Sequence, residues 1–590
     1  MKRLKRYSNN IAFCFRLLLG ASKGLFIAKT IISLAQVAAI YIELYLVREI
    51  INTLGNTDLS NHLDMIIIPT SFLAILIVVS NLTTKLSAHI NYKYQDKVSM
   101  YLDSTLVDKI SGFQYSIYDD SDALNKIADT RFLLSTIETL PDLMFSFATS
   151  TIKIIITLFV LAKLSILAAI AIIALILISV LINKKANDAK WNTDRQAIIH
   201  MRKMDYYKEC TGDKAYWNIK LFDCVHFFIG KYTNVWNMWY SDRVKLYRTT
   251  VILALISTLL LSITELSAFA LSLHLYIQKA ILLGDIIFYF SIIQELEMAS
   301  ESYVYSGANL LYALEELSCI RELLDNESFD KLGSKTTSEK YEIQFDGVWF
   351  KYPGQEEYVL RDCSFTIREG ETIGLVGKNG AGKSTIVKLI LALYSPSKGK
   401  ILLNGVNYQE YDIQELRSKI GILFQDYNRY SLTLRENISL SELPSIDNRA
   451  MLMKALSNSD SLEIIAANEK ETDIQLTRKF DENGIELSTG QWQKVALGRA
   501  FFGDKSLYLL DEPSSSLDAI AEDKIMSIFN ELVENKSGLI VTHRLSSLNL
   551  VDRIVFLHDG IIAESGTADE LIQSKGLFAT FFETQAKRYN

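Results

Sequence analysis

The chain has 590 residues, 49% hydrophobic and 22% charged, with a formal net charge of −7. That length calls for two to four domains, and the acidic balance argues against a nucleic-acid binder, which is normally basic. The five cysteines (Cys14, Cys210, Cys224, Cys319 and Cys363) are scattered with no C-x-x-C pair, so neither a zinc site nor a disulfide framework is indicated.

The start is basic (Lys2, Arg3, Lys5, Arg6) and runs into a short apolar stretch over residues 11–19. It can pass for a signal peptide, but Arg16 interrupts it and a longer span follows almost at once. We read it as a cytoplasmic tail with an amphipathic helix at the membrane surface. Six apolar stretches follow, at about 25–47, 63–86, 140–161, 165–182, 251–277 and 281–304, each long enough to span a bilayer. Only Ala162-Lys163-Leu164 separates the third from the fourth, and Gln278-Lys279-Ala280 the fifth from the sixth, which predicts two tight hairpins.

The connection between the fourth and fifth stretches carries thirteen Lys or Arg from Lys184 to Arg248, whereas the opposite connections carry one or two each (Arg48, Lys163, Lys279). The basic side is the cytoplasmic side. Residues 91–113 and 183–216 repeat apolar residues every three or four positions, so the spans should continue as helices well beyond the membrane. At their far ends lie two aromatic-rich turns, one around Tyr115 and Tyr118, the other from Tyr216 and Trp217 to Leu221 and Phe222; such turns suit docking onto another domain or the membrane surface. Four carboxylates (Glu43, Glu265, Glu295, Glu297) fall within the spans. They either line an acidic cavity for cationic cargo or are structurally paired or near water. The polar stretch 325–340 reads as a linker between a membrane domain at 1–324 and a soluble α/β domain at 341–590.

In the soluble half, Gly377-Lys378-Asn379-Gly380-Ala381-Gly382-Lys383-Ser384-Thr385 fits G-x-x-x-x-G-K-[ST]. It lies between an apolar run that reads as a buried strand and one that reads as a helix, the context in which glycines turn backbone N–H groups onto phosphates. Lys383 should reach the β- and γ-phosphates and Ser384 should ligate Mg²⁺. Tyr352, about 25 residues upstream, can stack on adenine. Gln425 ends the strand-like run Ile420-Gly421-Ile422-Leu423-Phe424, where its carbonyl can reach Mg²⁺ and the attacking water. Leu507-Tyr508-Leu509-Leu510 reads as a strand that delivers Asp511 to Mg²⁺ and Glu512 as general base. Leu539-Ile540-Val541-Thr542 reads as another and delivers His543.

The P-loop, the segment Leu487-Ser488-Thr489-Gly490-Gln491, the Asp511-Glu512 pair and His543, in this order behind a six-span half, resemble an ABC exporter half-transporter over nearly the whole chain. The resemblance implies a polytopic helical membrane domain followed by an ABC-type ATPase domain, facing the cytoplasm from the cell membrane. It implies a dimer, most simply with a second copy, in which each ATP lies between one P-loop and the other copy's Ser488, Thr489, Gly490 and Gln491. His543 would contact the γ-phosphate, Asp518 would carry communication across the dimer, and the two aromatic turns would be the coupling helices. One departure is Thr489, where the family pattern Leu-Ser-Gly-Gly-Gln has its first glycine; Gly490 remains, so tolerance is expected, with slower hydrolysis as the alternative. Residues 480–488 and the pair Gln491-Trp492 further resemble exporters of ribosomally made peptides, including lantibiotics, that lack a peptidase domain. With about 24 residues before the first span, no fused leader peptidase is expected. The implied activity is ATP-driven export with ATP and Mg²⁺ as cofactors, of a peptide in contact with membrane lipid. A lipid or multidrug exporter and an ATP-gated channel or sensor are the alternatives.

Overall fold

The computed structural model describes residues 2–56, 63–120, 139–164, 166–212, 216–324, 333–337, 340–466, 471–513, 519–534, 536–544 and 551–586, with a few single positions between. The chain divides into two compact units, residues 1–110 with 126–326, and residues 111–125 with 327–590.

The first unit is helical. Its elements are α1 (Lys2–Asn56), α2 (Leu63–Ser111), α3 (Leu140–Leu164), α4 (Ile166–Glu209), α5 (Tyr216–Leu221), α6 (Val225–Ile277) and α7 (Leu283–Leu324). The 49 residues of α2 reach about 74 Å at the 1.5 Å rise of a helix, more than twice a hydrocarbon core of about 30 Å. The expected extensions beyond the membrane are therefore continuous with the spans. Among the described residues four helices are long and apolar enough to cross a membrane, within Asn9–Gly55, Asp64–Ser111, Leu140–Lys163 and Val225–Ile277. The fourth and sixth apolar stretches lie on α4 and α7, and α7 carries Asp285, Glu295, Glu297 and Glu301 along its first half. The helix expected at the N-terminus and the first span are two helices that meet at a kink at Ser22 (φ −168°, ψ 104°), within the continuous stretch α1.

The charges within the spans of this unit divide into two kinds. Lys153 on α3 pairs with Glu295 at 3.2 Å, and Arg48 on α1 with Asp285 at 2.5 Å. Glu297 instead has Glu265 on α6 as its neighbour. Glu295 thus follows the structural-pairing alternative, while Glu265 and Glu297 form a carboxyl pair.

The second unit contains a four-stranded sheet in the order β2 (Leu360–Ile367), β1 (Ile343–Phe350), β4 (Lys398–Leu403), β5 (Val406–Asn407). A six-stranded sheet runs β10 (Ile561–Gly566), β9 (Arg553–His558), β3 (Thr372–Gly377), β8 (Ser537–Val541), β7 (Leu507–Asp511), β6 (Ile420–Leu423). From β9 to β6 every pairing is parallel. A parallel sheet covered on both faces needs apolar residues at every position, and β3, β7 and β8 are buried throughout. Of the segment read as a linker, Gly333 to Thr337 is described, and Lys335 bridges to Tyr411 and pairs with Glu410 at 2.8 Å. The turn Tyr115–Asp119 belongs to this unit.

Candidate functional site

The P-loop leaves the end of β3, which lies between β8 and β9. The close approach of β9 explains its first glycine: a Cβ at Gly377 would stand 2.3 Å from the Leu557 carbonyl oxygen. Its last glycine, Gly382, has φ 106° and forms the N-cap of the helix Lys383–Ile390, a conformation that costs a residue bearing a Cβ but not glycine. The loop thus ends on a helix N-terminus whose free N–H groups and dipole favour an anion.

The neighbouring parallel strands end at the same edge. Leu423 of β6 is in register with Leu510 of β7, and Asp511 of β7 with Val541 of β8. The residues just past these ends, Gln425, Glu512 and His543, consequently meet beyond the carboxyl edge of the sheet, where ligands bind in open α/β folds. With Gly377, Lys378, Asn379, Gly380, Gly382, Lys383, Ser384, Thr385 and Asp511 they line one open cleft of about 950 Å³. Gln425 Nε2 donates to Glu512 at 2.9 Å, His543 Nδ1 lies 3.0 Å from the other Glu512 oxygen, and Ser384 Oγ donates to Asp511 at 3.1 Å. Lys383 Nζ donates to the carbonyls of Gly377 and Lys378 at 2.8 and 3.1 Å.

Glu512 has φ 51°, a left-handed backbone uncommon outside glycine and frequent at functional sites. The turn that holds it is fixed by Gln493, 1% exposed, whose Nε2 donates to the Pro513 carbonyl at 2.6 Å. Burial raises the Asp511 carboxyl above its ordinary pKa; Glu512 adds to this, while the Ser384 hydrogen bond and Lys383 oppose it. Burial likewise lowers the Lys383 ammonium against the pull of Glu512 and Asp511. A buried carboxylate beside a hydroxyl, with amide and carboxylate oxygens nearby, is a hard-oxygen set that suits Mg²⁺, which keeps several waters and uses one or two carboxylates.

Other predicted residues are placed differently. Ala381 is buried within the loop. Tyr352 is half-buried, and its hydroxyl is hydrogen-bonded to Thr385 Oγ1 at 3.0 Å. Ser488, Thr489, Gly490 and Gln491 open the helix Thr489–Phe501 and are not among the residues that line this cleft; Ser488 and Gln491 form a capping box, and Ser488 and Thr489 are exposed. Asp518 lies outside the described residues. Sequence reasoning missed Val359, Phe581 and Gln585, which also line the cleft. Phe581 arrives through packing on Phe556 of β9, ring centroids 5.6 Å apart, and Phe556 is the register partner of Val376.

Residues 360–515 match the family model described as ABC transporter. Over 577 residues the chain is 27% identical to the subtilin transport ATP-binding protein SpaT of Bacillus subtilis, covering 97% of this chain and 93% of that protein. It is 27% identical over 543 residues to the nisin transport ATP-binding protein NisT of Lactococcus lactis subsp. lactis, covering 90% and 88%. An ATP-dependent lipid A-core flippase of Alcanivorax borkumensis is 35% identical over 263 residues, 44% of each chain. Among solved structures, a bacterial Atm1-family ABC exporter with ATP bound superimposes with a TM-score of 0.78 at 20% identity, covering 98% of this chain and 99% of that one.

Proposed function

Given that this chain is an ABC exporter, a multi-pass membrane protein with a cytoplasmic ATPase domain that couples ATP hydrolysis to transport, we propose that it exports a peptide as a homodimer. The observation that carries the cargo is end-to-end similarity: two relatives that align over nine-tenths or more of the chain are named for subtilin and nisin transport. The flippase is more identical but aligns over less than half. The Glu265–Glu297 carboxyl pair favours cargo with cationic groups.

The site residues act as follows. The P-loop N–H groups and Lys383 bind the phosphates. Ser384 and Asp511, with Gln425, hold Mg²⁺, which when bound neutralises charge on the phosphate oxygens. Glu512 takes a proton from the attacking water, and its orientation is set by Gln425 and His543. Ser488 and its neighbours do not line their own chain's cleft, which suits donation to the ATP of a second copy, their helix N-terminus meeting its γ-phosphate.

The test is ATPase stimulation in lipid nanodiscs against cationic peptides, lipids and dyes. Stimulation by peptides is expected; stimulation by lipids alone overturns the peptide reading.

A further inference from the structure

Tyr394 is 5% exposed and lies in the loop after the P-loop helix. Its hydroxyl donates to the Asp119 carboxylate of the turn Tyr115–Asp119. Its ring meets Tyr115 edge-on, centroids 5.6 Å apart, and meets Tyr352 edge-on at 5.3 Å. Tyr352 in turn reaches Thr385, the last residue of the P-loop motif, through its hydroxyl. The Lys388 ammonium lies 5.4 Å from the Tyr352 ring and 5.9 Å from the Tyr394 ring. One unbroken set of contacts therefore joins the turn to the nucleotide cleft, and every member belongs to the same compact unit.

Two features make Tyr394 more than core packing. A buried phenol donating to a carboxylate is a strong, directional hydrogen bond, so movement of Asp119 must move or release the hydroxyl. Tyr352 is held at its ring by Phe350, centroids 5.0 Å apart, and by Tyr394, and at its hydroxyl by Thr385. Of these only Tyr394 also reaches the turn, so the orientation of Tyr352 depends on Tyr394 as well as on Phe350 of its own strand. We propose that Tyr394 is a positioning residue for ATP, holding Tyr352 against the P-loop, and that Asp119 sets Tyr394, so that the turn Tyr115–Asp119 tunes ATP affinity. This rests on the reading of Tyr352 as a nucleotide contact.

The test measures the ATP dependence of phosphate release by the full-length protein in nanodiscs, for Y352A, Y394F, D119N, Y394F/D119N and Y394F/Y352A. Y394F keeps the ring and its packing and removes only the donor. Y352A should raise KM for ATP, while Y394F and D119N should each raise it about 3–10-fold with kcat unchanged, the range of one ordinary hydrogen bond. The double variant Y394F/D119N should be no worse than either single one, and Y394F should have no further effect in the Y352A background. A merely structural role would lower kcat or add to Y352A. If Y352A raises KM but Y394F and D119N leave it unchanged, the positioning role of Tyr394 is refuted while Tyr352 stands. If Y352A leaves KM unchanged, Tyr352 is not a nucleotide contact and the proposal falls with it.

Discussion

Glu512→Gln separates binding from chemistry because the structure lets the amide keep both of the carboxylate's hydrogen bonds. Gln425 Nε2 donates to one Glu512 oxygen at 2.9 Å, and an amide oxygen there accepts equally well. The amide NH₂ then faces His543 Nδ1, 3.0 Å from the other oxygen, and can donate to it when the ring proton is on Nε2. No buried group loses its partner and the left-handed backbone is no worse for Gln than for Glu, so stability should change by about 0.5 kcal/mol or less. What disappears is the proton acceptor. Losing a general base costs roughly 10²–10⁴ in kcat, or about 2.7–5.5 kcal/mol at 1.36 kcal/mol per factor of ten. ATP binding should survive, since removing the Glu512 charge lowers the local negative potential met by the phosphates. The assay pairs phosphate release with the ATP-to-ADP ratio of nucleotide retained by the protein: E512Q should retain ATP and release almost no phosphate. Hydrolysis within about threefold of wild type would deny Glu512 the role of base.

Lys383→Ala should weaken ATP binding by about 10–100-fold, the value of about 1.5–3 kcal/mol for a hydrogen bond to a charged group, read by equilibrium titration; unchanged affinity would count against the P-loop assignment. Thr489→Gly should give an equal or faster hydrolysis rate, because Thr489 is exposed and the bond it accepts, from Tyr427 at 3.1 Å, is to its backbone carbonyl; a collapse in rate would make its side chain functional. Glu371→Ala should lower stability by about 1.5–3 kcal/mol, the range for hydrogen bonds to a charged group, since Arg553, which donates to both Glu371 oxygens at 2.7 and 3.0 Å, keeps only the Thr366 carbonyl and the Ser565 hydroxyl. Burial alone would raise the Glu371 carboxyl, but the hydrogen bonds from Arg553 and the Arg368 backbone outweigh it and hold it below the ordinary value. The contribution of Glu371 is therefore present above the unfolded value of about 4.3 and is lost as pH falls through the lower folded one. The stability gap between wild type and E371Q should close over that range, and a gap that widens on acidification would contradict the ion pair.

The parts of the site legible in the sequence are those whose chemistry is local. The P-loop is nine consecutive residues with its strand and helix attached, and Gln425, Glu512 and His543 each follow an apolar run just long enough to be a buried strand. Once those runs pair in parallel, register alone brings their ends together. Tyr352 shows where this reasoning stops. Its distance upstream of the P-loop suggested a role, but beyond Phe350, two residues away, its neighbours are Tyr394, Thr385 and Lys388, and no pattern near Tyr352 encodes that convergence. Phe581 and Gln585 are hidden for the same reason: they reach the cleft only because β9 pairs with β3, and Leu577–Ala586 by itself reads as an ordinary apolar helix. Gln493 is a third case. As a polar residue inside a helix it looks neutral, yet at 1% exposure its amide must find a partner, and the partner is the turn that carries Glu512. Because Gln493 sits five residues past Ser488 on the same helix, a shift of that helix is felt at its own chain's Glu512 turn. A chain whose Ser488 serves a second copy's ATP would thereby link the two hydrolytic sites, which a reading of the motifs one at a time cannot reveal.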